Sequence, residues 1–313
     1  TSIQKVEFLP NSELKIIGDD SFNFTKINKI IIPSHVTKIG EHSFSSCSSL
    51  KNFECEKNSE LIEIGKLAFN NSKIESITIP SCIYEFKEGW CTDIGYLTKI
   101  KVIESYQNNT IYYDNKLIIT KSNINMNDFD ILVFARRNIQ NVTIPSNIKV
   151  IAYDSFSKSS IEKIFIPQKV TKIEKRAFHQ CMNLNKIEFS ESSNLQIIEK
   201  DAFHDSLIES ICIPNHVTKI CESAFLFCNK LKRVDFQYNS QLQKIESDAF
   251  SFTSINFISI PSNVKFIGKK AFYECNNIKM IEYPDNFYIK TINRDILPNN
   301  KSVIIMVPNS IQI

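Results

Sequence analysis

The sequence predicts a repeat solenoid, in which short turns of chain stack on one another around a shared interior. Three observations predict it. A phenylalanine recurs mostly at steps of 22 or 25 residues, a short β-type run lies between successive phenylalanines, and prolines that follow these runs recur 47 residues apart. The phenylalanines that keep this spacing are Phe22, Phe44, Phe69, Phe134, Phe156, Phe178, Phe203, Phe225, Phe250 and Phe272. Cys91 and Leu297 stand at two further positions of the same spacing, so we count about twelve turns.

Each turn combines two motifs. The first is V-x-x-I-x-x-x-A-F, clearest at Val170–Phe178, Val217–Phe225 and Val264–Phe272. Its A-F-x-x-C end predicts a short helical or 3₁₀ turn, with the phenylalanine in the interior. The second is an apolar-x-apolar run such as Ile211–Pro214, which predicts a strand buried on one face and ended by proline. Because the connections are too long for hairpins, the strands should form a parallel sheet on one side of the stack.

In chain order, we expect thirteen such strands, from Val6–Phe8 to Val303–Pro308, with Val142–Ile144 among them. The pattern frays at residues 83–97. Residues 103–130 interrupt one long loop, and Ile111–Ile119 predicts a β-hairpin that turns at Asp114 and Asn115. Residues 284–297 keep the repeat pattern only weakly, and we call them the worn turn. We expect residues 1–313 to be one solenoid domain, with residues 103–130 as an insertion.

Composition favours a binding module over an enzyme. The chain is 42% hydrophobic with 23 phenylalanines and a net charge of +3, which predicts a continuous core and no nucleic-acid partner. We find no apolar run long enough to span a membrane and no signal-peptide pattern at Thr1, so a targeting segment is absent from this sequence. The nine cysteines lack a C-x-x-C pair, and four of them follow a phenylalanine by three residues, which predicts a ladder of buried thiols. No catalytic constellation, cofactor loop or metal-ligand spacing is present.

The repeat I-x-I-P-x-x-V-x-x-I-x-x-x-A-F-x-x-C-x-x-L-x-x-I resembles the BspA-like, Treponema-type leucine-rich repeats. The residues that carry the match are clearest at Ile164–Ile187, Ile211–Val234 and Ile258–Ile281. The resemblance covers nearly the whole chain outside residues 105–130, and implies a leucine-rich-repeat-like right-handed coil. The composition, rich in Asn, Lys and Ile, resembles the protozoan surface-antigen branch of that family. Proteins of this kind are implied to be surface-exposed and to bind host extracellular matrix or cells.

Candidate binding residues follow from strand alternation, since the central side chain of each apolar-x-apolar run should point outward. We expect a shallow binding face whose members include Phe165, Glu188, Asp235, Phe257, Met280, Glu282 and Met306. A second candidate is the insertion, where Tyr112 and Tyr113, together with Trp90, stand near the pair Arg136 and Arg137. Aromatic and Arg side chains are typical of interaction hot spots.

Two functional classes remain open at this point. The first is a cell-surface or secreted module for adhesion to host matrix or cell-surface macromolecules, acting through the sheet face or the insertion. The second is a cytoplasmic scaffold that uses the same sheet for protein partners. The worn last turns also lead us to expect an oligomer contact through the C-terminal end, because an uncapped turn exposes its core.

Overall fold

A computed structural model describes residues 3–284, 294–296 and 303–306 of the 313-residue chain. The chain divides into two compact units, which are residues 1–139 with 153–158, and residues 140–152 with 159–313. The predicted fold class is confirmed: the chain winds as a right-handed β-solenoid of about twelve turns with parallel sheets. We describe the two units separately as unit 1 and unit 2.

The predicted apolar-x-apolar runs form the long strands of the solenoid. In unit 1 these strands are Lys29–Ile32, Asn52–Cys55, Ser76–Pro80 and Lys99–Ile103. In unit 2 they are Lys163–Ile166, Lys186–Phe189, Ser210–Ile213, Arg233–Phe236, Phe257–Ser259, Met280–Glu282 and Ile304–Met306. Neighbours pair in parallel within each unit, and alternate side chains are buried, as in Lys163–Ile166 where Ile164 and Ile166 face the core. These alternating runs are therefore strands with one solvent-facing side.

Each turn also contains a second, two-residue strand that the sequence analysis did not predict. These short strands are Ile16–Ile17, Lys38–Ile39, Glu63–Ile64 and Glu85–Phe86 in unit 1, and Val150–Ile151, Lys172–Ile173, Ile197–Ile198, Lys219–Ile220, Lys244–Ile245 and Phe266–Ile267 in unit 2. They coincide with the V-x-x-I half of the repeat: Val36 and Ile39, for example, are both fully buried. The chain thus has a parallel sheet on two sides of each turn rather than on one.

The predicted helical turns around each phenylalanine are wrong. The helix observed in the described residues is a single 3₁₀ turn at Arg294–Ile296. Residues two positions before or after the buried phenylalanine instead have positive φ, such as Asp201 and Asp205 with φ of 56° each. A right-handed helix cannot include such residues. The same pattern recurs at Asp20, His42, Leu67, Asp154, Arg176, Ser223, Asp248 and Lys270 before the phenylalanine, and at Phe24, Ser46, Asn71, Lys158, Gln180, Phe227, Phe252 and Glu274 after it.

The positive φ values let each phenylalanine segment bond to the segment of the following turn. Arg176, Phe178 and Gln180 donate their backbone N–H groups to the carbonyl oxygens of Lys200, Ala202 and His204 at 3.1, 2.7 and 2.8 Å. Every second residue thus donates its N–H in the same direction. We call this row of bonds the corner ladder. It satisfies backbone groups that would otherwise be buried without partners.

The interior is a stack of phenylalanine rings, as predicted. In unit 2, Phe178, Phe203, Phe225, Phe250 and Phe272 are fully buried, and their ring centroids are 5.0 to 5.8 Å apart. Interplanar angles of 3° to 5° make this a parallel stack. Unit 1 has the same arrangement at Phe22, Phe44 and Phe69, with centroids 5.3 and 5.5 Å apart. One turn cannot bury its own ring, so each turn depends on its neighbours.

The insertion contains the predicted hairpin. Strands Thr110–Tyr113 and Leu117–Thr120 pair antiparallel, and the positive φ values of Asp114 and Asn115 are those of a type I′ turn. The second strand also pairs antiparallel with Ile131–Ala135 and is buried along its whole length, so the insertion packs on unit 1. Phe134, which we placed in a phenylalanine register, is buried but lies on this third strand.

Two predicted strands do not form. Val6–Phe8 and Val142–Ile144 have the apolar-x-apolar pattern but no strand structure. The long-strand ladders instead begin one turn later, at Lys29–Ile32 in unit 1 and at Lys163–Ile166 in unit 2. At the other end, Ile304–Met306 pairs in parallel with Met280–Glu282. Leu297, most of the worn turn at residues 284–297, and residues 307 and 308 of the predicted last strand lie outside the described residues.

Candidate functional site

The outward side of the long strands in unit 2 carries the predicted binding residues in two rows. The first residue of each strand forms one row, and the third residue forms the other. Parallel pairing puts Phe165 beside Glu188, Cys212 beside Asp235, and Glu282 beside Met306. Glu188 and Asp235 are exposed, and Met280 and Glu282 are half-buried. Seven of the predicted residues thus lie on one surface, which we call the sheet face.

The charged part of the sheet face compensates its own charge. Within single strands, the Nζ atom of Lys186 lies 2.6 Å from Oε1 of Glu188, and the Nε atom of Arg233 lies 2.9 Å from Oδ2 of Asp235. All four side chains are about half exposed or more, so each pair stabilises the fold by only about 0–1 kcal/mol. This part of the face offers hydrogen-bonding groups but little net charge.

The strands from residue 257 onward carry an apolar patch on the same face. In the first row, Phe257, Met280 and Ile304 lie side by side in register, and Met306 follows in the second row beside Glu282. Phe257 is 42% exposed, Ile304 62% and Met306 49%, which is high for large apolar side chains. We call these four residues the apolar patch. An exposed apolar cluster rimmed by polar groups is typical of a protein-binding surface.

A cleft opens beside the apolar patch, where the loops after two long strands face each other. It has a volume of about 520 Å³ and is lined by Asp235 and Phe257, by the amide side chains of Gln237 and Asn263, and by Tyr238. The Tyr238 side chain is 89% exposed and contributes little to the fold. Aromatic rings, amides and a carboxylate therefore converge next to the patch, which extends the surface that a partner can contact.

The insertion supplies a second surface, on which the two predicted tyrosines differ in exposure. Tyr113 is exposed, whereas Tyr112 is half-buried and its hydroxyl donates to the Asn115 carbonyl oxygen at 2.6 Å. Burial raises the pKa of the Tyr112 hydroxyl. A cleft of about 650 Å³ lies between the hairpin and the strand Lys99–Ile103, and Lys101, Glu104 and Tyr112 are among its lining residues.

The predicted aromatic and arginine hot spot beside the hairpin is wrong, because two of its members are buried. Trp90 packs against Phe69, Phe86 and Phe134, in the place where the repeat pattern frays. The Arg137 guanidinium lies 4.1 Å from the centroid of the Phe134 ring. Its Nε, Nη1 and Nη2 atoms donate to the carbonyl oxygens of residues 94, 155 and 154 at 3.1, 2.8 and 3.1 Å. Arg137 therefore stabilises an irregular turn from inside.

Comparison with known proteins agrees with this architecture. The family described as "BspA type Leucine rich repeat region (6 copies)" matches residues 15–129, 108–232 and 196–313, which together span nearly the whole chain. The chain belongs to the BspA-type leucine-rich repeat family. No curated protein matches it significantly.

Several solved structures share the BspA-type fold of this chain. The pneumococcal vaccine antigen PcpA has a TM-score of 0.73 and 22% identity, with 97% of this chain and 68% of that chain covered. A leucine-rich repeat protein from Eubacterium ventriosum has a TM-score of 0.59 and 22% identity over 88% and 83% of the two chains. A leucine rich cell surface protein from Faecalibacterium prausnitzii has a TM-score of 0.51 and 18% identity over 95% and 83%. At these identities the likeness is one of fold.

The BspA-type repeat also explains the cysteines. Cys47, Cys228 and Cys275 each donate a thiol hydrogen bond of 3.0 Å to the carbonyl oxygen of the phenylalanine one turn earlier. Eight of the nine cysteines are buried, none of the nine forms a disulfide bond, and burial raises the pKa of the Cys228 thiol to about 12. The predicted ladder of buried thiols is confirmed. Cys212 is the one exposed cysteine and lies on the sheet face. Its thiol is still partly covered, and this partial burial raises its pKa, with a smaller contribution in the same direction from the nearby Asp235 carboxylate.

Neither a metal site nor a membrane-spanning helix is present in the part of the BspA-type chain that the structure describes. Across residues 3–284, 294–296 and 303–306, no cluster of three or more His, Cys, Asp or Glu side chains is arranged to hold a metal ion. In the same ranges, no helix has the length and hydropathy that a membrane span requires.

One row of aromatic residues escaped the prediction. It follows the buried phenylalanines of unit 2 by one or two positions and comprises His179, His204, Phe227, Phe252 and Tyr273. An alignment of the five turns on their buried phenylalanines would have revealed it. The predicted helical turns would not place these five side chains side by side. The corner ladder does, because it aligns successive turns at the buried phenylalanines.

Proposed function

We propose that this chain is a non-catalytic recognition module of a cell surface, which binds host extracellular-matrix or cell-surface macromolecules through the sheet face of unit 2. Membership of a BspA-type repeat family supports protein binding as the general role. One protein of similar fold is described as a vaccine antigen and another as a cell surface protein, which supports the location. The apolar patch beside the cleft carries the proposal, since it exposes large apolar side chains in register.

The test uses the chain with Phe257, Met280 and Met306 changed to serine. Binding to immobilised extracellular-matrix preparations and to intact host cells is measured by biolayer interferometry and flow cytometry. We expect an affinity loss of at least about tenfold, because anchors of this kind dominate protein interfaces. The matched control is Thr78→Ala, which changes an outward residue of a long strand in unit 1. Equal binding by the serine variant and the wild type would remove the sheet face from the proposal.

The second candidate function is an intracellular scaffold that binds protein partners through the same face. The lack of a disulfide bond among the nine cysteines favours it, because reducing compartments keep thiols reduced. Antibody staining of intact and permeabilised source cells separates the two candidates. Staining of intact cells supports the surface module, and staining that requires permeabilisation supports the scaffold.

A further inference from the structure

Five successive turns of unit 2 carry an aromatic side chain just after the buried phenylalanine, and these rings contact one another. The His179 and His204 rings stack with centroids 4.9 Å apart. His204 meets Phe227 at 5.6 Å, Phe227 meets Phe252 at 4.7 Å, and Phe252 meets Tyr273 at 5.6 Å. We call this row the aromatic ridge. It lies at the phenylalanine corners and not on the long strands that form the sheet face.

The centre of the aromatic ridge is exposed and conformationally costly. Phe227 is 42% and Phe252 38% exposed, although both are large apolar side chains. Both also have positive φ, 60° and 57°, a region that bulky residues avoid. The neighbouring turns place Asp205 or Glu274 at the same repeat position. The core gains little from these two rings, because Phe225 and Phe250 already fill the interior beneath them. The corner ladder requires positive φ at these positions but not an aromatic side chain, so the two exposed rings are candidates for contact with a partner.

The charges around the ridge define the kind of partner. The chain's own cations lie at the two ends of the ridge, where Arg176 contacts His179 and Lys270 lies over the Tyr273 ring. In the central turns, the five residues centred on the buried phenylalanine include the carboxylates of Asp201, Asp205 and Asp248 and no Lys or Arg. A cationic partner gains from both features, because guanidinium and ammonium groups pair with carboxylates and lie favourably over aromatic rings.

We propose that the aromatic ridge binds a basic, amphipathic segment of a partner protein, in which Arg or Lys alternates with aliphatic side chains. The aliphatic side chains contact Phe227 and Phe252, and the cations face Asp201, Asp205 and Asp248. This surface is separate from the sheet face, so it gives the module a second partner or a second contact on the same partner.

The experiment measures fluorescence anisotropy with a short labelled peptide of alternating Arg and Leu. We expect this peptide to bind the wild-type chain, with an affinity that falls as salt rises. Peptides of alternating Glu and Leu, or of Arg and Ser, should bind at least about tenfold more weakly. The double change F227N/F252N should reduce affinity by at least about tenfold. Asn tolerates positive φ, so this variant keeps its fold, which a thermal melt checks.

Two further variants make the result specific. The triple change D201N/D205N/D248N should weaken binding and flatten its salt dependence. The matched control is Phe24→Asn, which removes an exposed phenylalanine of positive φ at the same repeat position in unit 1 and should leave peptide affinity unchanged.

Three outcomes overturn the proposal. The first is failure of the Arg and Leu peptide to bind, or equal binding by F227N/F252N. The second is concentration-dependent dimerisation of the wild type that the same double change abolishes. The third is ring-dependent binding of immobilised neutral glycans in the absence of peptide binding.

Discussion

Removal of one ring from the phenylalanine stack should destabilise unit 2 by an amount that the structure sets. Phe203 is fully buried, and its ring stacks on Phe178 at 5.0 Å and on Phe225 at 5.2 Å. Phe203→Leu keeps most of the apolar volume but removes two ring pairs, each worth about 0.5–1.5 kcal/mol, so we expect a loss of about 1–3 kcal/mol. Phe203→Ala also leaves a cavity, and we expect about 3–5 kcal/mol.

Equilibrium urea unfolding followed by circular dichroism measures these losses, and hydrogen exchange locates them. Turns interact mainly with their neighbours, so amides near residues 178 and 225 should lose protection before distant ones do. The control is Phe22→Ala, which should reduce the free energy of unfolding by less, because Phe22 is only half-buried and stacks on Phe44. A loss below about 1 kcal/mol for Phe203→Ala would contradict a core built on stacked rings.

Three other predictions concern single residues. Native protein should react rapidly with Ellman's reagent at one thiol, that of Cys212, and the rate should rise with pH. Cys212→Ser should abolish this rapid reaction, and rapid reaction of a second thiol would contradict the burial of the other eight. Arg137→Leu should destabilise unit 1 by about 3–5 kcal/mol in urea unfolding, because buried carbonyl groups lose their donors; a neutral result would contradict its internal role. Burial lowers the pKa of His204, so the unfolded chain binds the proton more tightly and stability should fall as the pH drops through about 6.5. His204→Asn should weaken this pH dependence of the melting temperature, and an unchanged pH dependence would exclude His204 as its source.

The parts of the fold that repeat as side chains were predictable. A buried ring every 22 or 25 residues, β-branched runs between the rings, and small thiols at a fixed offset each state a burial requirement. Phe178, Ile211 and Cys228 accordingly lie where the repeat puts them. The hairpin was also predictable, because Asp114 and Asn115 tolerate the positive φ that its turn needs.

The parts that depend on backbone conformation were not predictable. The corner ladder needs positive φ on both sides of the buried residue, and side chains as different as those of Asp201, Lys270 and Phe252 supply it. Among the described residues glycine supplies it once, at Gly89, so no residue type marks the ladder. The roles of two residues near the frayed region were also not predictable. Trp90 and Arg137 read as surface hot-spot residues, but each replaces a missing core group in an irregular turn.

The sheet face was half predictable. Strand alternation identifies Phe257 and Met306 as outward, but the loop geometry that brings Tyr238 beside Phe257 belongs to the folded chain. The aromatic ridge shows the same limit, because its rings meet only after the corner ladder aligns their turns.

The corner ladder also restricts how an array of this kind can grow. The corners at Phe178, Phe203, Phe225 and Phe250 each donate three amides to the following turn. An added piece of arbitrary length would leave such donors without acceptors, whereas a whole pair of turns would not. A long and a short turn together span 47 residues, as the interval between Pro167 and Pro214 illustrates. Tandem duplication of such a pair of turns, for instance residues 181–227, would lengthen unit 2. Each corner amide, buried thiol and stacked ring would keep the same kind of neighbour in the next turn. Genes for such arrays can therefore expand by recombination without redesign of the core.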